Sequence, residues 1–251
     1  PTQIMVNFNI KLLIFSFTRG ETVINDISVE IKSGEKVALV GATGAGKSTI
    51  INLISRLYEF DSGDIEIDGI SIRDYDLKSL RNRVSVVLQE VFLFADSLYN
   101  NITLYNTQIT REMVIKASKE IGVHKFIESL PEGYDYNVKE RGVMLSSGQR
   151  QLIAFLRAYI TQPAILVLDE ATSSVDSYSE EIIQRAIDKL THGKTSIIIA
   201  HRLATVKNAD RILVMDSGKI VEEGTHEELL KVKGGNYSKL YEVQFADEVP
   251  I

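Results

Sequence analysis

Short apolar runs and helical apolar stripes alternate along most of the chain. Runs of strand length predict β-strands over residues 11–17, 27–31, 36–40, 65–67, 84–88, 165–168, 195–200, 211–215 and 219–222. Apolar residues at helical spacing predict helices over residues 47–57, 110–121, 149–159 and 177–190. Two capping boxes, Ser177 with Glu180 and Thr225 with Glu228, predict helix starts. Strands that alternate with helices are typical of an α/β fold.

The middle of the chain departs from this alternation. Between residues 90 and 161 strand-like runs give way to helical spacing, as at Met113, Val114, Ala117 and Ile121. We therefore predict one domain of residues 1–251. Its core would consist of residues 1–89 and 162–251, and residues 90–161 would form an inserted helical subdomain.

A glycine-rich loop follows the predicted strand 36–40 directly. It fits the pattern G-x-x-x-x-G-K-[ST], whose backbone N–H groups cradle nucleotide phosphates. The candidate nucleotide-binding residues are Gly41, Ala42, Thr43, Gly44, Ala45, Gly46, Lys47, Ser48 and Thr49. In this pattern Lys47 holds the β- and γ-phosphates, and Ser48 ligates Mg²⁺. An ordinary glycine turn is the alternative, but the strand before the loop and the helix after it favour a site for ATP or GTP.

Two carboxylates follow the apolar strand 165–168. A buried strand of a parallel sheet brings the residues after it to the edge of the sheet where ligands bind. Asp169 is therefore a candidate Mg²⁺ partner, direct or through water, and Glu170 can polarise the water that attacks the γ-phosphate. The alternative is an acidic start to the next helix.

Three further stretches have both a chemical and a structural interpretation. Gln89 and His201 each follow an apolar run, so both could reach the γ-phosphate or its water, or simply end a strand at the surface. A serine-rich segment precedes the helix predicted from residue 149: Leu145, Ser146, Ser147, Gly148 and Gln149. It could cap that helix or form a second phosphate site at the helix N-terminus.

Composition narrows the class of protein. The chain has 251 residues, of which 44% are hydrophobic and 25% charged, as is ordinary for globular domains. A net charge of −6 argues against a nucleic-acid partner, which needs clustered cationic surface. Without cysteine there are no disulfides or thiolate metal sites. We expect no membrane-spanning helix and no signal peptide within this sequence.

Together these motifs resemble the nucleotide-binding domain of an ATP-binding-cassette (ABC) transporter. Residues 41–49 resemble the Walker A motif, 165–170 the Walker B motif and 173–176 the D-loop with Asp176. Gln89 resembles the Q-loop residue and His201 the switch histidine. The resemblance implies an α/β phosphate-loop core with a mixed, largely parallel sheet, an N-terminal antiparallel β part and an inserted helical subdomain. It also implies ATP hydrolysis with Glu170, His201, Gln89 and Lys47 as catalytic residues and Ser48, Gln89 and Asp169 as Mg²⁺ ligands.

The resemblance also implies partners. Residues 145–149, LSSGQ, resemble the LSGGQ signature, which in this family closes over ATP held by a second nucleotide-binding domain, in a homodimer or a heterodimer. Ser147 replaces the first glycine of that signature and adds a side chain where backbone approaches phosphate. Phe17 stands about where exporters place an aromatic residue that stacks on adenine; a place in the strand core is the alternative.

Residues 138–142 resemble the ERG segment with which exporter-type domains touch the coupling helices of a membrane domain. This favours an exporter at the cytoplasmic face of the inner membrane, coupled through Phe92 and Phe94 to a membrane domain fused N-terminally. A faint resemblance to bacterial microcin exporters suggests a peptide cargo. The alternative is a soluble ABC ATPase acting in repair, translation or cofactor assembly. A regulatory subunit that does not hydrolyse ATP is disfavoured by Glu170 and His201.

Overall fold

The computed structural model describes residues 6–18, 20–170 and 177–244. The chain divides into two compact units, the first formed by residues 1–86, 164–170 and 193–251 and the second by residues 87–163 and 171–192. The second unit thus includes the segment around the predicted helix 177–190, which the sequence-based boundaries place in the core. Among the described residues, none of the helices has the length and apolar character needed to cross a bilayer.

The strands of the described residues are β1 (Phe8–Ser16), β2 (Thr22–Ile31), β3 (Lys36–Gly41), β4 (Ser62–Ile67), β5 (Ile70–Ser71), β6 (Val84–Val87), β7 (Ile165–Asp169), β8 (Thr195–Ile199), β9 (Arg211–Asp216) and β10 (Lys219–Gly224). The α-helices are α1 (Lys47–Ile54), α2 (Leu77–Arg83), α3 (Leu98–Thr103), α4 (Arg111–Glu120), α5 (His124–Glu128), α6 (Ser147–Thr161), α7 (Ser177–Thr191), α8 (Leu203–Lys207), α9 (His226–Leu230) and α10 (Asn236–Gln244).

Two sheets organise these strands. The first is antiparallel, in the order β2-β1-β4-β5, and Phe8 in β1 pairs with Ile31 on one side and Ile67 on the other. The second has the order β10-β9-β3-β8-β7-β6; β9, β3, β8 and β7 run parallel, and β10 is antiparallel to β9. The predicted N-terminal antiparallel part and the mixed, largely parallel sheet are both confirmed.

The parallel strands form the centre of the first unit. All residues of β7 and β8, and residues 37–40 of β3, are buried. Strands covered on both faces need continuous apolar runs, and such runs are the reason that the sequence predicts these three strands. Their carboxyl ends share one edge, so the loop after β3, Asp169 at the end of β7 and the segment after β8 emerge on the same side of the sheet.

Several predicted boundaries are wrong by a few residues. Helix α1 ends at Ile54 rather than residue 57, because Arg56 has a positive φ of 49° and the Leu57 N–H donates back to the Asn52 carbonyl, which closes the helix as a Schellman motif. Strand β2 begins five residues before the predicted start, at Thr22. Strands β9 and β10 are joined at Ser217 and Gly218, whose φ values of 48° and 77° are those that a tight hairpin turn requires.

Helices dominate the second unit, as its spacing predicts. Helix α6 packs against α3, α4 and α7, and short 3₁₀ turns lie at Gly133–Asp135 and Glu140–Gly142. Helix α7 begins at Ser177, but the side chain of Ser177 lies outside the described part, so its capping box stays a prediction.

Candidate nucleotide-binding and hydrolysis site

The loop between β3 and α1 depends on glycine at two positions. Gly41 has a φ of 153°, and a Cβ there would lie 2.3 Å from the Met215 carbonyl oxygen of β9. Gly46 precedes α1 with a φ of 103°, and no side chain caps this helix start. Uncapped N–H groups at a helix N-terminus attract an anion, and the helix dipole adds to that attraction. The loop therefore has the geometry of a phosphate cradle.

Lys47 is buried at the centre of this loop. Its Nζ donates to the carbonyl oxygens of Gly41, at 2.6 Å, and Ala42, at 2.9 Å. Burial lowers the pKa of the Lys47 amine, and the nearby Asp169 carboxylate opposes this shift. The ammonium group is thus held beside the helix start, where the β- and γ-phosphates of a nucleotide would lie. Ser48, the next residue, is exposed.

Asp169 ends β7 as a buried carboxylate. Burial raises its pKa, and the positive charge of Lys47 opposes the rise. Hydroxyl, carboxylate and phosphate oxygens form the hard donor set that Mg²⁺ prefers, so Ser48 and Asp169 fit this ion. In the described ranges, no group of three or more His, Cys, Asp or Glu side chains could hold a metal by itself. A magnesium ion here would take phosphate oxygens of the nucleotide, or water, as further ligands.

Glu170 follows as an almost fully buried carboxylate, 1% exposed. Its Oε2 accepts hydrogen bonds from the backbone N–H of His201, at 3.0 Å, and of Arg202, at 3.2 Å. Its Oε1 accepts one from the Thr205 hydroxyl at 2.9 Å and lies 3.6 Å from Arg202 Nε. Burial raises the pKa of Glu170, and these donors and the guanidinium charge oppose the rise.

The switch-histidine candidate belongs to the same cluster. Burial, together with the positive charge of Lys47, lowers the pKa of His201 below its usual 6.5, so the imidazole is neutral at pH 7. The structure thus brings Lys47, Asp169, Glu170 and His201 together within the first unit. Sequence reasoning missed Thr205, whose only signal is its position four residues, about one helical turn, after His201.

Phe17 lies outside β1 and is 54% exposed, so the strand-core alternative is wrong. Its ring meets Phe15 edge-on at 4.9 Å and Tyr58 edge-on at 5.3 Å between centroids. Tyr58 follows α1 and is 45% exposed. An exposed aromatic face held by two neighbouring rings suits stacking on a planar base.

The signature candidate lies in the second unit. Ser146 caps α6: its Oγ accepts from the Gln149 N–H at 3.2 Å, and the Gln149 side chain accepts from the Ser146 N–H at 2.9 Å. Ser147 is the first helical residue and is half-buried, while Leu145 and Gly148 are buried. The capping interpretation of this segment is therefore confirmed, and its second role at a partner's phosphate stays a prediction.

The remaining predicted residues are not placed at the cluster. Gln89 is exposed, two residues after β6 ends, and belongs to the second unit, so its ligation of Mg²⁺ stays a prediction. Asp176 of the D-loop lies outside the described residues.

The second unit exposes apolar side chains near the exporter-like segment. Phe92 and Phe94 are 56% and 49% exposed, and their rings meet edge-on at 5.2 Å. Val143 and Met144, directly after Glu140–Gly142, are also exposed. A Cβ on Gly142 would lie 2.7 Å from Leu93, so the two segments are neighbours. Exposed apolar side chains that cluster in this way are typical of interaction sites.

Because the phosphate loop and both carboxylates leave one parallel sheet at the same edge, the fold and the site define a phosphate-loop nucleotide hydrolase. The model of the ABC transporter family matches residues 24–173. The chain belongs to this family, and the predicted ABC-type ATPase class is confirmed.

Relatives and a solved structure agree with this assignment. The chain is 50% identical over 228 residues, 90% of its length, to an "ATP-dependent lipid A-core flippase" of Shewanella frigidimarina (strain NCIMB 400). It is 47% identical over 224 residues, 89% of its length, to a "Putative multidrug export ATP-binding/permease protein" of Bacillus subtilis (strain 168). The chain spans only 38% of the length of each of these relatives.

Among solved structures, the chain is similar to that of a bacterial Atm1-family ABC exporter with ATP bound. The TM-score is 0.88 at 36% identity, and the match covers 96% of this chain and 42% of the exporter chain. The likeness extends over both described units and supports the predicted phosphate-loop fold.

Proposed function

We propose that this chain is the ATP-binding and ATP-hydrolysing motor domain of an ABC exporter. The observation that carries the proposal is the convergence of Lys47, Asp169, Glu170 and His201 at one edge of the parallel sheet. Each of them is held in place by burial or by backbone hydrogen bonds, so the cluster is preorganised for a polyphosphate and an attacking water.

In this proposal the loop from Gly41 to Thr49 binds the phosphates of ATP, and Lys47 contacts the β- and γ-phosphates. Ser48 and Asp169 would hold Mg²⁺, whose charge would neutralise the phosphate oxygens. Glu170 takes the proton of the attacking water, and the neutral imidazole of His201 can hydrogen-bond near the γ-phosphate. Phe17 stacks on the adenine ring.

A second nucleotide-binding domain would complete the site. A single nucleotide has no evident use for two helix N-termini that bind phosphate. A partner domain docked head to tail could instead bring its own signature residues to the nucleotide held by this chain. Helix α6, with its N-terminus at Ser147, offers the dipole that a γ-phosphate favours. Closure over two Mg-ATP molecules follows for either a homodimer or a heterodimer.

Transport would require membrane helices beyond this sequence. Relatives more than twice as long, named as a flippase and as an export permease, support a fused membrane domain. We propose that it lies N-terminal to this chain, that its coupling helices meet Phe92, Phe94, Val143 and Met144, and that this chain works at the cytoplasmic face. The peptide cargo expected from the sequence gains no support, because these relatives are named for lipid A-core and for multidrug export. The names also favour export over the soluble repair, translation or cofactor-assembly alternative.

The test is ATP hydrolysis by variants of two site residues. Glu170→Gln should lower kcat by about 10²- to 10⁴-fold while ATP still binds, because an amide cannot accept the proton. Lys47→Ala should instead weaken ATP binding by about 1.5–3 kcal/mol, since a charge-assisted contact is lost. Glu181→Gln removes an exposed carboxylate of α7 and serves as the matched control. Wild-type hydrolysis by Glu170→Gln would refute the assignment of the base.

A further inference from the structure

The start of α8 holds the carboxylate of Glu170 from one side. Oε2 accepts two backbone N–H groups, those of His201 and Arg202, and Oε1 accepts the Thr205 hydroxyl. Glu170 and Thr205 are each 1% exposed, so this contact is screened little by water. Both oxygens of the carboxylate are therefore fixed, and the plane of the group is set.

Of these three hydrogen-bond donors to Glu170, only the Thr205 hydroxyl belongs to a side chain. The backbone N–H groups would be present with almost any sequence, and the Arg202 guanidinium, with Nε 3.6 Å from Oε1, is beyond ordinary hydrogen-bond distance. The Thr205 hydroxyl donates at 2.9 Å from the first helical turn of α8. Without the Thr205 hydroxyl, Oε1 would lose its short hydrogen bond. The carboxylate would then be held by the hydrogen bonds to Oε2 alone, and its plane would no longer be fixed.

Orientation matters because a general base works only within hydrogen-bond reach of the proton it removes. We propose that Thr205 is a positioning residue for ATP hydrolysis: its hydroxyl fixes the Glu170 carboxylate in the orientation that takes the proton from the attacking water. The proposal rests on the proposed role of Glu170 as that base. Since His201 begins the same segment, one element then orders the base and the imidazole together.

The experiment compares Thr205→Val, which keeps the shape and removes the hydroxyl, with Thr205→Ser, which keeps the hydroxyl. For this chain, Thr205→Val should lower kcat for ATP by about tenfold or more with KM within about twofold, because only an interaction that serves the chemical step is lost. Thr205→Ser should retain kcat within about threefold.

A matched control removes another buried threonine hydroxyl. Thr191 in α7 is 3% exposed, and its hydroxyl donates to the Ile187 carbonyl at 2.9 Å. Thr191→Val should leave kcat unchanged. Should Thr205→Val fail to fold, Thr205→Ala replaces it, and a loss of kcat that Thr205→Ser reverses still supports the proposal.

A double variant tests whether the effect passes through Glu170. Adding Thr205→Val to Glu170→Gln should change the residual rate by less than about twofold, because the base is already absent. Three results would each overturn the proposal: a Thr205→Val kcat within twofold of wild type, equal losses for Val and Ser, or an undiminished loss in the Glu170→Gln background. If Glu170→Gln itself hydrolyses ATP normally, the proposed function fails first; if it is inactive and Thr205→Val is normal, only this inference fails.

Discussion

At the scale of single residues, the site combines positions that must lack a side chain with positions that must bury a charged one. Gly41 faces the Met215 carbonyl too closely for any Cβ, whereas Lys47 and Glu170 are charged groups taken out of water. Burying a charge is costly unless hydrogen bonds compensate. Two loop carbonyls compensate for Lys47 and the start of α8 for Glu170. Both charged groups of the candidate site are thus held by hydrogen bonds within the protein.

Phe17 allows a test of base stacking that is separate from stability. Phe17→Ala should weaken ATP binding by about 0.5–1.5 kcal/mol beyond the area lost, and Phe17→Tyr should be nearly neutral, since both aromatic rings can stack. Isothermal titration with ATP measures the change. Because Phe17 is half exposed, the thermal unfolding temperature of the Phe17→Ala protein should differ little from that of the wild type.

Phe15 provides the control for that experiment. It lies in β1, two residues away, and is 5% exposed, so Phe15→Ala should cost about 3–5 kcal/mol of folding free energy. If Phe17→Ala left ATP affinity unchanged, Phe17 would have no part in binding the base.

At the scale of elements, the sequence predicts those features that depend on local periodicity. The buried strands β3, β7 and β8 are continuous apolar runs, and the phosphate loop lies between a strand and a helix as its motif requires. The alternation of apolar and polar residues wrongly extends the predicted strand 11–17 to Phe17. The pattern continues past Ser16, although β1 ends there. Contacts between distant residues leave no periodic signal. The bond from Thr205 to Glu170 spans 35 positions, so it could not be found this way.

Another long-range contact connects α6, the helix that begins within residues 145–149, to the segment that contains the exposed Phe92 and Phe94. Arg157 of α6 donates from Nη1 to the Phe92 carbonyl at 3.0 Å and from Nη2 to the Asn101 side chain at 3.1 Å. Asn101 in turn donates to the Phe94 carbonyl at 3.0 Å. Burial lowers the pKa of Arg157 to about 10, so the guanidinium remains charged at neutral pH. This partly buried network, centred on the buried Asn101, holds the backbone of Phe92 and Phe94 in place.

Replacement of Arg157 by lysine should therefore be strongly destabilising. A lysine keeps the charge but cannot reproduce the planar set of donors, so buried acceptors lose their partners, at a cost of about 2–4 kcal/mol of unfolding free energy. Urea unfolding measures the loss. Arg185→Lys on α7, where the side chain is 70% exposed, should change it by less than about 0.5 kcal/mol. Equal stability of the two variants would show that the network contributes little.

At the scale of the whole molecule, the proposed function requires a second nucleotide-binding domain, and in a homodimer this is a second copy of the chain. Each carries a net charge of −6, and closure would bring two glutamates close to two polyphosphates, so like charges oppose the closed state. Neutralising Glu170 removes part of this repulsion, and slow turnover keeps ATP bound, which stabilises the associated state by mass action. The side chain of Ser147 would weaken this association if it holds residues 145–149 of one copy away from the phosphate bound by the other copy.

The mass of the Glu170→Gln chain in solution, measured by light scattering after size exclusion, tests whether two copies close over ATP. With saturating Mg-ATP we predict twice the mass of one chain, and with Mg-ADP the mass of a single chain. If the Glu170→Gln chain instead keeps the mass of a single chain because Ser147 weakens the signature contact, Ser147→Gly in the same background should restore the dimer. A single-chain mass for both variants, at high protein concentration with saturating Mg-ATP, would contradict closure of two copies over ATP.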